Sequence, residues 1–265
     1  MEGAGFVDIH CHILPGLDDG PSDWQEALQM ARLAVAQGVT HLVATPHQLG
    51  AFSSNSATKI ADVFSEFQRR LAQLELPLKV FLGADVRIEP ELPARLIRGE
   101  VLPIGPAGRY VLVELPFDVS LPLLPVLEGI RAAGFRPILT HPERSLAVGR
   151  HLEELRRWVN GGGVIQLTGG SLVGSFGVEV QARAERLLRE GLVHVVASDA
   201  HGALKRRPLW RRVYERLEEL LGEEPADLLC HDNPACILAG QDVCLPELPS
   251  GCLPRLLRWM YRKAS

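Results

Sequence analysis

The feature that most constrains this chain is a regular alternation of short apolar runs with amphipathic stretches along most of its 265 residues. Leu42-Val43-Ala44 and Val193-His194-Val195-Val196 are nearly continuous apolar runs, as expected of strands covered on both faces of a parallel sheet. Strands are expected over residues 5–10, 39–45, 78–84, 110–115, 136–140, 164–168 and 194–197. Helices are expected over 22–37, 56–74, 91–98, 121–133, 151–160, 178–190 and 209–221. The first of these reads as opened by a Ser22 N-cap with Glu26 in its early turns, and stopped by Gly38. Seven strands, each followed by a helix, argue for an α/β fold with a parallel sheet, either open or closed into a barrel. The length suits one such domain, since (β/α) barrels run to roughly 250 residues.

Composition narrows the partners. A net charge of −4 gives no global reason to expect nucleic acid or an anionic membrane as partner. No segment approaches the roughly 20 apolar residues of a membrane span, and Met1–Gly5 lacks the basic and apolar regions of a secretory signal. The five cysteines, Cys11, Cys230, Cys236, Cys244 and Cys252, show no paired C-x-x-C spacing. A reducing cytoplasm is the expected setting. The chain changes character after Asp242, so 1–242 is expected to form the barrel and 243–265 a C-terminal extension packed on or near it.

Residues able to bind metal collect at the ends of the expected strands. Asp8-Ile9-His10-Cys11-His12 ends the first, with Asp18 and Asp19 shortly after. His47, Asp85, Glu114 and His141 follow on the next four, and Asp199 with His201 follows the last. In a barrel these strand ends converge on one face. His10 and His12, two apart in an extended chain, point the same way and can share one ion. Imidazole with carboxylate suits Mn, Fe or Zn, and Glu114 or Asp85 could bridge two ions. Any one such histidine is as readily a packing residue, and His41, His151, His194 and His231 belong to that bland class. The joint pattern is what points to a metal site.

The segments DIHCHILPGLDDGP, ATPH, LGAD, LVEL, LTHPER, VVASDAH and HDNP occur in this order, spanning about residues 5–240. In this the chain resembles the PHP (polymerase and histidinol phosphatase) superfamily, nearest to the bacterial tyrosine phosphatases of capsule and exopolysaccharide systems (the CpsB/YwqE group). The resemblance implies a distorted (β/α)7 barrel and two to three ions per chain, with Mn²⁺ expected and Fe, Zn or Mg as alternatives. It implies His10, His12, Glu114 and Asp199 around one ion, Glu114 and His141 at a second, and Asp19, His47, Asp85 and His201 at a third. It also implies that Arg144 and Arg207 bind phosphate. This chain has Asp85 where the family usually has Glu, and Gln48-Leu49 where relatives often carry His or Arg.

The implied activity is hydrolysis of phosphotyrosine on a protein, such as the tyrosine-rich tail of a bacterial tyrosine kinase. Histidinol phosphate or another small phosphomonoester is the runner-up. Leu49 and Phe52 are read as able to pack against a tyrosine ring, or equally as covering the barrel rim. An amidohydrolase would also begin with HxH, but it typically uses a lysine at a mid-barrel strand end. None of the four lysines, Lys59, Lys79, Lys205 and Lys263, lies there. Arg211 and Arg212 read as a solvated helix face. Cys252 with Arg258 has the C-x5-R spacing of cysteine-dependent tyrosine phosphatases, yet the Leu-rich run between them is poorly suited to cradle phosphate with backbone N–H groups.

Overall fold

The computed structural model describes residues 5–115, 123–145 and 152–247. Its strands are β1 (Phe6–Cys11), β2 (Val39–Ala44), β3 (His47–Gln48), β4 (Lys79–Leu82), β5 (Asp85–Arg87), β6 (Tyr110–Glu114), β7 (Arg136–Thr140), β8 (Val164–Thr168) and β9 (Val195–Ala197). All pairings between them are parallel, in the orders β1-β2-β4 and β3-β5-β6-β7-β8-β9. The expected α/β fold with parallel sheets is what the chain forms.

The second and third expected strands, 39–45 and 78–84, are each followed by a further short strand that was not expected, β3 and β5. Thr45-Pro46 separates β2 from β3, and Gly83-Ala84 separates β4 from β5. Proline has no N–H to give to a ladder. At Gly83 a Cβ would lie 2.7 Å from the Ile104 side chain, so only glycine fits. The Gly83 N–H still donates to Ala44 O and the Asp85 N–H to Pro46 O, which carries the sheet across both breaks. Seven segments therefore remain the organising unit. The first and last meet at a single bridge, Cys11 with Ala200, and two backbone hydrogen bonds, Asp199 N–H to His10 O and His12 N–H to Ala200 O. A continuous ladder closing the ring is not present among the described residues.

The helices are α1 (Trp24–Ala36), α2 (Ala57–Ala72), α3 (Leu92–Ile97), α4 (Leu123–Ala132), α5 (Leu152–Asn160), α6 (Gly169–Leu172), α7 (Val178–Arg189), α8 (Trp210–Leu221), α9 (Glu223–Asp227) and α10 (Asn233–Leu238). The start of the fourth expected helix and His151 fall outside the described residues. The first helix is capped by Asp23 rather than Ser22: the Asp23 carboxylate accepts from the Glu26 N–H at 2.9 Å, and Glu26 accepts from the Ser22 N–H. A short 3₁₀ turn, Pro142–Arg144, and α6 were not expected; both are a single turn with little periodicity to read. No described helix is long and apolar enough to cross a membrane.

Strand alternation divides the core into two layers. Val111 and Val113 face the helices with Met30, Phe67, Leu127 and Trp158. Tyr110, Leu112, Ile138, Val164, Val195 and Ala197 form a separate inner layer. Continuing the same parity along each strand brings Glu114, Thr140, Gln166, Thr168 and Asp199 to the inner side one step further on. The inner face is thus apolar at the bottom and polar at the top. On β1 the pairing with β2 shifts register between Asp8 and Cys11. Ile9 joins the inner layer while Cys11 joins the outer one, so the change of phase brings His10 and His12 inward.

Candidate metal centre

The two histidines of β1 set the geometry. His10 Nδ1 lies 3.1 Å from Gln166 Oε1, and His12 Nδ1 lies 2.8 Å from Asp18 Oδ2. Both partners are acceptors, so each Nδ1 carries the proton and each Nε2 is left with a lone pair. Those two Nε2 atoms face each other at 3.1 Å. Two lone pairs at that distance repel unless something positive lies beside both. His201 repeats the device, its Nδ1 being 3.0 Å from the Asp199 carbonyl.

Carboxylates surround these nitrogens. Asp85 Oδ2 is buried, has no hydrogen-bond partner, and lies 3.6 Å from His10 Nε2, 3.4 Å from His47 Nδ1 and 4.0 Å from His141 Nε2. Glu114 stands 3.8 Å from His47 Nδ1 and 3.9 Å from His141 Nε2. Asp199 Oδ1 is 3.5 Å from His10 Nε2 and 3.6 Å from His12 Nε2, and Asp19 Oδ1 is 3.3 Å from His201 Nε2. Four overlapping groups have donor atoms within 4.8 Å of one another: His12, Asp19, His47 and His201; His10, His12 and Asp85; His10, His141 and Asp199; and His47, Asp85 and Glu114. All nine expected ligands are therefore in one place. The grouping differs from the allotment implied by the resemblance: His12 falls with Asp19, His47 and His201, Asp85 falls with His10 and His12, Glu114 falls with His47 and Asp85, and His141 falls with His10 and Asp199.

Electrostatics fits a cation. Burial pushes His10 and His47 down to about 4 and His12 and His141 well below their ordinary value, which keeps the imidazoles neutral and able to ligate near pH 7. Burial also pushes Asp85 and Glu114 up, and neighbouring carboxylates add to the rise. Without a counter-charge, such a cluster resists ionisation. A divalent ion is the group that neutral imidazoles, mutually repelling carboxylates and an unpartnered Asp85 oxygen would together hold. The backbone is strained at the same place: His141 (φ 32°), Asp199 (φ 49°), Arg206 (φ 49°) and Leu49 (φ 69°) are left-handed without being glycine.

Arginines line the rim. Arg144 donates to Asp199 Oδ2 at 2.6 Å, and Arg206 donates to the same oxygen at 2.7 Å. Asp199 thus turns Oδ1 to the histidines and Oδ2 to the arginines. Burial pushes its carboxyl up, but the charges around it, Arg206 among them, more than offset this and hold it below the usual range. Arg87 approaches Glu114 Oε2 at 3.1 Å and donates to the Leu115 carbonyl. Arg207, expected at the site, makes no hydrogen bond or ion pair with the nine candidate ligands among the described residues. It is exposed and lines a recess with Gly169, Gly170, Ser198, Leu209, Trp210 and Val213. In an irregular loop the sequence offers no parity by which to choose between adjacent arginines.

Two inner-face residues of the site were missed. Gln166 and Thr168 lie on the inner parity of β8, and that parity was available. Gln48 is a structural pin, bonding Asn55 O, Glu100 O and the Leu102 N–H. Phe52 stacks on His47 with ring centroids 5.1 Å apart. Cys252 lies outside the described residues, and the other four cysteines are unpaired.

The family model for capsular polysaccharide synthesis, CpsB/CapC, matches residues 6–239. The chain belongs to the CpsB/CapC family. It is 33% identical to the tyrosine-protein phosphatase YwqE of Bacillus subtilis over 239 residues, 90% of this chain and 93% of that protein. Its structure superposes with TM-score 0.86 and 32% identity on a structure from a study of YwqE from B. subtilis and CpsB from Streptococcus pneumoniae, described as unique metal-dependent tyrosine phosphatases, covering 91% of this chain and 98% of that one. A β-aspartyl dipeptidase of Fervidobacterium islandicum superposes with TM-score 0.55 at 17% identity, covering 93% of this chain and 78% of that one, which is a likeness of fold alone. CpsB/CapC membership gives Asp85 and Arg206 their interest: one is the shorter carboxylate noted in the sequence, the other an arginine that the sequence reading passed over.

Proposed function

We propose that this CpsB/CapC protein is a metal-dependent phosphatase that hydrolyses phosphotyrosine on a protein. The observation that carries the reading is the facing pair of His10 Nε2 and His12 Nε2 atoms at 3.1 Å, each left with its lone pair because the Nδ1–H of the same ring donates to an acceptor on the far side. His10, His12, Asp19, His47, Asp85, Glu114, His141, Asp199 and His201 would hold the ions. Bound divalent cations supply Lewis acidity toward phosphoryl oxygens and a water-derived nucleophile. Gln166 and Asp18 fix the two imidazole tautomers and ring planes, which keeps both Nε2 atoms directed inward. Arg144 and Arg206 present guanidinium N–H groups to phosphate oxygens, offsetting charge that grows as the ester bond breaks. A phenoxide leaves with a conjugate acid near pKa 10, so it needs less protonation than an alkoxide. No described side chain has to serve as a strong general acid.

Mn²⁺ is the proposed ion, the tail of a bacterial tyrosine kinase the proposed partner and the cytoplasm the proposed setting. Residues 1–242 are taken as the catalytic unit, with 243–265 as an extension. The deciding experiment compares phosphotyrosine peptide, phosphoserine peptide and histidinol phosphate with Mn²⁺ supplied, alongside metal analysis of protein purified without chelators. Phosphotyrosine should have the largest kcat/KM. A preference for histidinol phosphate above about tenfold, roughly 1.4 kcal/mol of transition-state binding, moves the protein to small-molecule phosphatase.

A further inference from the structure

Arg144 and Arg206 reach the rim from different places in the chain, the turn after β7 and the loop after β9. They share two contacts. One is Asp199 Oδ2. The other is the ring of Phe176, over which the Arg144 guanidinium sits at 4.7 Å from the centroid and that of Arg206 at 5.9 Å. Phe176 lies in the segment between α6 and α7, half-buried, and nothing in the nine proposed ligands involves it.

That segment is shaped around the ring. Gly174 and Gly177 flank it at φ 79° and 89°, conformations that other residues adopt only with strain. A Cβ at Gly170 would lie 3.2 Å from Phe176 Cε2, so a bare backbone lets the ring lie close. The Ser175 N–H returns to the Gly170 carbonyl and closes the turn. The turn leads directly from β8, whose Thr168 hydroxyl approaches Asp199 Oδ2 at 3.4 Å.

Two guanidinium groups beside one carboxylate oxygen repel each other, and Asp199, even with Asp19 3.6 Å from Arg206, holds the pair less firmly once an anion competes for their N–H groups. An aromatic face attracts both without occupying any N–H. We infer that Phe176 is a positioning residue, a shelf that keeps Arg144 and Arg206 side by side and ready for a phosphoryl group. It acts through the arginines and touches no reacting atom. The inference rests on the phosphatase reading for the identity of the anion, while its own content is anion binding by the arginine pair.

The test is titration of inorganic phosphate into the full chain with Mn²⁺ supplied, together with kcat and KM for p-nitrophenyl phosphate. Phe176→Met keeps apolar bulk and removes the π face; Phe176→Tyr keeps the face. Phe176→Met should weaken phosphate binding about three- to tenfold and raise KM in parallel, with kcat within about twofold. Phe176→Tyr should stay within about twofold of the parent. In an Arg144→Gln background, Phe176→Met should add little. Thermal melts confirm folding, and Phe176→Leu replaces Phe176→Met should the latter fail to fold. Parent-like phosphate binding in Phe176→Met, an equal loss in Phe176→Tyr, an undiminished effect without Arg144, or no phosphate binding by the parent each overturns the inference. A protein that binds phosphate in the expected pattern but does not cleave phosphotyrosine sinks the substrate reading and leaves this one standing.

Discussion

The floor of the site and its rim are built on different principles. The floor, His10, His12, Asp85, Glu114 and His141, is buried and stands at or beside strand ends, where the two-residue period and the inner apolar layer dictate side-chain direction. The rim, Arg144, Arg206, Phe176 and Phe52, is partly exposed and stands on turns and loops, where direction is set residue by residue by left-handed backbone and by contacts between distant segments. A strand holds a ligand with a ladder of hydrogen bonds. A loop holds an arginine with a carboxylate and a ring. Errors in the floor should therefore be catastrophic, and errors in the rim graded.

His12→Ala tests the floor most severely. It removes one of the two facing Nε2 atoms and takes one partner each from His10, Asp18 and Asp199. Turnover should fall by at least about 10³-fold, the scale on which a catalytic constellation fails as a unit. Bound metal, measured by elemental analysis, should fall with it. Full turnover by a metal-depleted His12→Ala protein would show that floor and rim do not divide the work in this way.

Arg206→Ala tests the rim at its strongest point. The side chain donates to Asp199 Oδ2 at 2.7 Å and comes within 3.6 Å of Asp19. Losing one charged donor aimed at developing charge costs about 10²- to 10³-fold. Metal content should be close to that of the parent. Loss of metal equal to that in His12→Ala would make Arg206 part of the floor.

The same contrast explains how much was legible beforehand. Each of the seven segments was readable from its apolar run, and the nine proposed ligands from their positions after those runs. Their convergence follows from parallel strands, which all end on one face. Asp23 was missed as a cap because Ser22 and Asp23 are both good N-caps, and the choice depends on where the first helical turn closes. The short strands β3 and β5 were missed because they lie beyond Thr45-Pro46 and Gly83-Ala84, where continuation of the sheet depends on the approach of Ile104 and on pairing between distant segments. Arg206 was missed for a reason of the same kind. Its backbone at φ 49° aims the side chain at Asp199, and no local pattern announces that.

Gln166→Leu probes the support beneath the floor. Gln166 Oε1 accepts from His10 Nδ1 at 3.1 Å and fixes the tautomer that leaves Nε2 free. Outer partners of this kind typically contribute about 10- to 100-fold in metal affinity or activity. Titration of Mn²⁺ against turnover should show a right-shifted curve that recovers at high metal. A reduced plateau with unchanged metal dependence would place Gln166 in the chemistry instead.

A separate effect belongs to the opposite end of the strands, where His194 sits buried and its Nδ1 accepts from the Ile165 N–H at 3.2 Å. Burial pushes this histidine down to about 4, and nearby Arg136 adds to the shift. The unfolded chain takes up the proton near pH 6.5 and the folded chain only near 4. The folded state is therefore at full advantage above pH 6.5 and loses it as pH falls toward 4, on the order of 3 kcal/mol in all. In metal-free protein, His194→Gln should flatten the decline of thermal stability between pH 6.5 and 4 relative to the parent. Buried histidines of the floor titrate in both proteins, so the difference isolates His194. An identical decline in the two would mean that His194 protonates without resistance.

Arg207→Ala should do least, and that is its value. The sequence gives Arg206 and Arg207 the same chemistry one residue apart. The fold separates them, sending one to Asp199 and leaving the other exposed beside Gly169, Gly170 and Trp210. An exposed arginine with no partner to desolvate contributes little to stability or to a site whose ligands it does not contact. Both kcat and KM should stay within about twofold of the parent, an energy difference near the 0.5 kcal/mol typical of surface substitutions. Measured beside Arg206→Ala, this variant turns the contrast between floor and rim into a contrast within the rim itself. A loss in Arg207→Ala as large as that in Arg206→Ala would mean that the loop presents either arginine in solution, and that the left-handed backbone at 206 does not fix the choice.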